Sequence, residues 1–185
     1  MKFHRAELDG AYIIELDKLE DDRGFFARTW CQKELEDHGL AAQIAQANVS
    51  FNTKAGTLRG LHYQVAPYKE TKLIRCTRGA LYDVIIDLRR GSPTYKQWMG
   101  IELTAENYKM LYVPAQFAHG FVTLDNNTEA TYFMSEFYAP GAERGLRWND
   151  PAFGITWPRP AEVISGKDAS WPYISEQDPR NLFAR

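Results

Sequence analysis

Cysteine is scarce in this chain of 185 residues: Cys31 and Cys76 are the only two, and they stand in no metal-type spacing. They allow one bridge at most, and reduced thiols in a cytoplasmic protein are the expectation. Long apolar runs are missing as well. The longest cover a handful of residues, against the ~20 of a membrane-crossing helix, so no membrane partner is expected. The first ten residues, MKFHRAELDG, hold no apolar core of the signal-peptide kind. A net charge of only −2 leaves no basic field, and nucleic acid is not an expected partner. There is no Gly-x-Ser-x-Gly nucleophile turn, no P-loop and no Gly-x-Gly-x-x-Gly. The four histidines, His4, His38, His62 and His119, form no His-x-His pair. A metal needs three or four converging ligands, so a metal site has little support.

Aromatic residues are in excess, at 14% with five tryptophans. Core packing accounts for most of such a surplus; a stacking surface for a planar ligand is the other reading. The length fits one domain, residues 1–185, long enough to bury a real core. Glycine and proline punctuate the chain and leave β-type segments between them. YIIEL (12–16) and GFFARTW (24–30) flank a turn at EDDRG. TWCQKELEDHGL (29–40) reads as a helix, with Thr29 as N-cap and Gly39 as the C′ residue. From Gln43 onward the pattern is almost all β. TKLIRCT, ALYDVIIDL, QWMGIEL, KMLYVP, HGFVTL and EATYFMSEFY are strand segments, with turns at Arg78-Gly79, Arg89–Gly91 and Asn126-Asn127. Strands at this spacing imply an all-β sandwich or barrel. The stretch after Pro140, rich in Pro, Gly and Trp, reads as an irregular wrap with a short strand or two. The expected organisation is an N-terminal arm (1–42), a β core of about 43–140 and a C-terminal wrap (141–185).

TLRGLHYQ, Thr57 to Gln64, poses a puzzle. Strict alternation puts Leu58, Gly60, His62 and Gln64 on one face and Thr57, Arg59, Leu61 and Tyr63 on the other. A cation and a histidine then point opposite ways from one half-buried strand. A bulge at Gly60 would reset the alternation; otherwise Arg59 would serve a second subunit. In ALYDVIIDL the carboxylates Asp83 and Asp87 share a face with Leu81 and Ile85. Burying an unpaired charge is costly, so that face is either salt-bridged and partly solvated or lines a wet cavity. Lys72 shares a face with Ile74 and Cys76, and a lone strand lysine ordinarily points to solvent. His119 follows a proline turn, where a lone histidine is ordinarily a hydrogen-bonded structural group. Patterning by itself names no reaction.

Several stretches, taken in order, resemble the dTDP-4-dehydrorhamnose 3,5-epimerase family, a branch of the cupins. They are DDRGFF, QAN, LRGLHYQ, KLIRCTRGALYDVIIDLRRGSPTY, LYVPAQFAHGF, ATYFMSEFYAPGAERGLRWNDPAFGITWP and ISGKD, running from about residue 20 to residue 172. RGLHYQ together with FAHGF is the specific combination. The resemblance implies a cupin-type jelly-roll barrel, a homodimer, no metal and no cofactor. It also implies epimerisation of a nucleotide-diphosphate-linked 4-keto-6-deoxyhexose, with dTDP-4-dehydro-6-deoxyglucose giving dTDP-4-dehydrorhamnose as the first choice of reaction. A 4-ketone acidifies the hydrogens at C3 and C5. Inverting either carbon needs a base on one face, a proton donor on the other and a group that stabilises the enolate.

By the resemblance, His62 is the base, Asp168 holds its other ring nitrogen, Lys72 sits by the C4 oxygen and Tyr132 is the donor on the opposite face. Arg23, Arg59, Gln46, Asn48, His119, Glu143 and Lys167 match positions that touch the nucleotide sugar. Tyr138 matches an aromatic that stacks on the base. In the family the N-terminal segment reaches into the neighbour's site, which would carry Arg23 across. Three departures stand out. Arg28 occupies a binding position where the family usually has an acidic residue, Phe133 follows Tyr132 where the family has lysine, and the loop NVSFNTKAGTLRG is one residue longer. The machinery for epimerisation matches better than the machinery for choosing the nucleotide. Open alternatives are an epimerase of a CDP- or GDP-linked sugar, inversion at C3 or C5 alone, a 3,4-ketoisomerase, and a nucleotide-sugar-binding barrel without activity. The joint presence of His62, Lys72, Tyr132 and Asp168 counts against the last, since binding requires neither base nor acid.

Overall fold

Alternating inward and outward residues sort the strands into two facing sheets in the computed structural model, which describes residues 1–176. The N-terminal third supplies β1 (Lys2–Arg5), β2 (Tyr12–Glu15), β3 (Leu19–Asp21), β4 (Gly24–Phe26), α1 (Gln32–Asp37) and β5 (Gln46–Asn52). The middle supplies β6 (Thr57–Gln64), β7 (Lys72–Arg78), β8 (Ala80–Asp87), β9 (Trp98–Thr104) and β10 (Met110–Val113). It continues through β11 (Phe117–Thr123) and β12 (Thr128–Met134) to β13 (Glu143–Gly145), β14 (Val163–Ile164) and α2 (Gly166–Ala169). One six-stranded sheet has the order β1-β2-β10-β7-β12-β5. The other holds β13-β6-β11-β8-β9, with β14 added alongside β6. The architecture is a cupin-type jelly-roll barrel.

The core has three layers. Between the sheets, Ile74 and Cys76 meet Leu81, Ile85, Phe117 and Phe121. The alternate residues of these strands point outward. Val84, Ile86 and Ala118 pack under Leu146, Phe153 and Ile174 of the C-terminal segment. On the opposite sheet Ile14, Leu73 and Tyr112 pack under Leu35 of α1 and Ala42. Burial on both faces explains why β8 reads as a nearly continuous apolar run. Each such side chain contributes about 1.5–3 kcal/mol.

Several boundaries differ from the sequence expectations. The helix spans only Gln32–Asp37 with Cys31 at its N-cap, which makes no side-chain cap bond, so Thr29 lies outside it. Gly39, with φ of +71°, does follow the C-cap residue His38. β4 stops at Phe26 because its partner β3 has only three residues, and β12 stops at Met134, where its pairings with β5 and β7 both run out. β1 pairs with β2 and β2 with β10, so the start of the N-terminal arm adds two strands to the first sheet. The C-terminal wrap contributes two short strands, and both pair with β6. Its end, residues 177–185, lies outside the described residues. Cys31 and Cys76 are unbridged. Among the described residues no helix is long and apolar enough to cross a membrane.

Candidate active site

β6 resolves its own alternation puzzle. Its register with β11 pairs His62 with His119 and Arg59 with Phe121, so three steps along β6 face two along β11. The extra residue makes a bulge at Gly60, whose φ is +130°. No side chain fits there. A Cβ on Gly60 would lie 2.5 Å from the Cα of Gly120, and one on Gly120 would lie 2.5 Å from the carbonyl oxygen of Arg59. The two glycines let the backbones touch, and the bulge turns Arg59 and His62 to one side. Both line a cavity of about 380 Å³.

β14 pairs in parallel with the start of β6 and thereby delivers α2 to Gly60. Ser165 caps α2, its Oγ accepting from the Asp168 amide at 3.0 Å. Nε2 of His62 then lies 2.7 Å from Oδ1 of Asp168, while the Gly60 amide donates to Oδ2 at 3.3 Å. Burial pushes the Asp168 carboxyl up. The hydrogen bond and charge of His62, with the Gly60 amide, outweigh that and hold it below the usual carboxylate range. Trp171 meets the His62 ring edge-on, centroids 6.1 Å apart. It comes so close only because Gly145 is bare: a Cβ there would lie 2.3 Å from the indole.

Lys72 opens β7 on the inward face shared with Ile74. Its side chain is only 8% exposed, which excludes the solvent-facing reading. Nζ lies 3.1 Å from Oε1 of Glu70 and donates to the His62 carbonyl at 3.3 Å. The other Glu70 oxygen accepts from Nε2 of Gln64 at 2.6 Å. Tyr132 projects from β12, in the sheet opposite His62. Burial raises its hydroxyl pKa, against the pull of the Arg59 charge, so it stays protonated at neutral pH. Nε2 of His119 lies 2.7 Å from Oδ1 of Asp83. The acidic face of ALYDVIIDL therefore divides: Asp83 backs a cavity histidine, whereas Asp87 is held by Arg89, Ser92 and Thr94.

The cavity wall contains His62, Lys72, Tyr132 and Asp168 together with Gln46, Asn48, Arg59, His119, Tyr138 and Glu143. Gln46 fixes the rim, its Oε1 accepting from the Tyr138 amide at 2.5 Å. Lys167 stands just outside the wall and ion-pairs with Glu143. Arg23 and Arg28 are not brought to this cavity. Arg23 is paired with Asp21 across the β3–β4 turn, and Arg28 with Glu34 of α1. The departure at Phe133 also falls outside: its side chain packs on the outer layer beneath α1. Sequence reasoning passed over Ser50, Gln64, Glu70, Phe121 and Met134, which all line the wall. Strand parity was the signal for three of them, since Ser50 follows Gln46 and Asn48, Gln64 follows His62, and Met134 follows Tyr132. Among the described residues no group of three His, Cys, Asp or Glu side chains is placed to hold a metal ion.

A jelly-roll barrel whose cavity joins a histidine–aspartate pair, a buried lysine and a protonated tyrosine is built as an acid–base enzyme. The chain belongs to the dTDP-4-dehydrorhamnose 3,5-epimerase family, a family of isomerases whose model matches residues 5–176. It is similar to the dTDP-4-dehydrorhamnose 3,5-epimerase of Sinorhizobium fredii, with 44% identity covering 95% of this chain and 91% of that one. The dTDP-4-dehydrorhamnose 3,5-epimerase of Bacillus anthracis, solved with TDP and PPi bound, is 43% identical with a TM-score of 0.90. That match covers 94% of this chain and 99% of that one. The dTDP-6-deoxy-D-glucose-3,5-epimerase of Legionella pneumophila, solved with dTDP-4-keto-L-rhamnose, is 34% identical with a TM-score of 0.91. It covers 100% of this chain and 97% of that one.

Proposed function

We propose that this chain converts dTDP-4-dehydro-6-deoxyglucose to dTDP-4-dehydrorhamnose by inverting C3 and C5. One observation carries the reading: His62 from β6 and Tyr132 from β12 face one cavity from opposite sheets. Inversion requires removal of a proton from one side of a carbon and delivery from the other. The Asp168 carboxylate accepts the Nε2 hydrogen of His62, which leaves Nδ1 as the basic nitrogen. Nδ1 takes the proton from C3 or C5, and the electron pair moves onto the C4 oxygen. The Lys72 ammonium, enclosed with that oxygen, stabilises the enolate more strongly than it would in water. Tyr132 then gives its hydroxyl proton to the opposite face, and proton exchange with solvent restores both groups.

Around this centre, Arg59 takes the diphosphate and Tyr138 stacks on the base, with Gln46, Asn48, His119, Glu143 and Lys167 completing the contacts. The relatives solved with TDP and with dTDP-4-keto-L-rhamnose support a nucleotide-sugar substrate. The reading includes a cytoplasmic homodimer in which the β3–β4 hairpin carries Arg23 to the partner's cavity. The hairpin's exposed Leu19 and Phe26 and the 89% exposed side chain of Arg23 support that placement. Arg28, two residues past β4 and paired with Glu34, is kept as a binding residue in the same reading. A thermal-shift comparison of dTDP, CDP, GDP and UDP tests the reading, since a ligand of the native state raises its apparent stability. The expected result is the largest shift with dTDP. Equal shifts with all four would contradict recognition of the thymine base.

A further inference from the structure

The cations around the cavity are not equivalent. Lys72 is paired with Glu70 and Lys167 with Glu143. Arginines elsewhere are paired too: Arg23 with Asp21, Arg28 with Glu34, Arg89 with Asp87 and Arg159 with Glu162. Arg59 lines the cavity, and among the described residues its polar partner is a neutral amide instead of a carboxylate. Nε of Arg59 donates to Oδ1 of Asn52 at 2.7 Å.

Asn52 stands behind the cavity wall at the end of β5 and is only 3% exposed. Its Nδ2 donates to the Thr128 carbonyl at 3.3 Å, and Thr128 is its cross-strand partner on β12. That bond turns the amide oxygen toward Arg59. Sequence patterning did not single out Asn52, and no direct contact with a cavity-bound molecule is open to it.

We infer that Asn52 is a positioning residue for Arg59: by engaging Nε it points both terminal nitrogens into the cavity as a fork for the diphosphate, and being neutral it leaves the guanidinium charge uncompensated. The inference rests on the reading that Arg59 meets the diphosphate. A guanidinium fork binds an oxyanion through two parallel N–H bonds, and its fixed geometry is worth most when the side chain is already aimed. An aspartate at the same place would aim Arg59 equally well. It would also put a negative charge about one hydrogen bond away from the group that must attract an anion.

Calorimetric titration of dTDP and of thymidine into the wild type, Asn52→Ala, Asn52→Asp and Arg59→Ala tests this. Asn52→Ala is expected to weaken dTDP about tenfold, the size of one lost hydrogen bond to a charged group. Asn52→Asp is expected to weaken dTDP at least as much although it keeps the acceptor. Thymidine, which lacks the diphosphate, should bind both variants as it binds the wild type, and this also reports that they are folded. Should Asn52→Asp fail to fold, Asn52→Ala and Asn52→Ser, measured against both ligands, carry the test. Wild-type dTDP affinity in Asn52→Ala overturns the inference, and wild-type affinity in Asn52→Asp overturns the need for a neutral acceptor. If instead Arg59→Ala binds dTDP normally, the placement of Arg59 on the diphosphate is what fails.

Discussion

Asp87 and Asp168 are both buried carboxylates, yet they are put to different use. Asp87, at the end of β8, accepts from the amide of Arg89 at 2.9 Å, from its Nε at 3.0 Å and its Nη2 at 2.8 Å. Thr94 at 2.7 Å and Ser92 complete the shell. All these partners lie within seven residues of it, so the group closes a local loop. Asp168 reaches across 106 residues to His62, and the ring it holds has a second nitrogen left over. In both cases burial pushes the carboxyl up and the hydrogen-bond donors outweigh it, leaving the group easier to ionise than a free aspartate. The electrostatics are alike. What differs is that the donors around Asp87 are used up within the loop, whereas the ring held by Asp168 keeps a second nitrogen.

The comparison is broken most severely by removing the ring. His62→Ala is expected to lower turnover by about 10²- to 10⁴-fold or more while leaving dTDP affinity within a few-fold, measured by product formation and by calorimetry. Turnover near the wild-type rate would show that another group is the base. Next in size, Asp168→Asn should lower kcat by about 10²-fold, because a neutral amide no longer fixes the tautomer or supports the positive ring. A variant with normal kcat would reduce Asp168 to the structural role of Asp87. Asp87→Asn should do the converse, lowering unfolding free energy by about 1–3 kcal/mol in urea titrations while the folded fraction keeps its kcat.

The smallest effect concerns pH. The folded pKa of Asp87 is depressed, so its ionised form contributes stability above the unfolded value of 3.8, and that contribution is lost as pH falls through the folded value. The stability gap between the wild type and Asp87→Asn should therefore narrow below pH 3.8. A gap unchanged under those conditions would mean that the carboxylate's charge is not what stabilises the loop.

Much of the barrel is legible in the sequence because its strands are punctuated by glycine, proline and asparagine turns, as at Gly79 between β7 and β8. The ends of strands are less so, since β4 and β12 stop where their partners stop and neither end carries a breaker of its own. β13 and β14 are too short to show a period. At the site, residues on strands were readable by parity from any one member. The bulge at Gly60 was recognisable as an option from the glycine itself, but choosing it required knowing that Gly120 lies opposite. The partners Glu70 and Asn52 were invisible for another reason: a residue that acts by holding a neighbour is recognised only once the contact is seen.

In the proposed reaction one histidine base and one tyrosine acid on opposite sheets invert two carbons flanking a ketone. Turnover of dTDP-4-dehydro-6-deoxyglucose in deuterated buffer, followed by proton NMR, tests this most directly. The expected result is loss of the proton signals at both C3 and C5 as deuterium enters each position, with product of inverted configuration. Label at only one of the two carbons, or a product whose ketone has left C4, would contradict it.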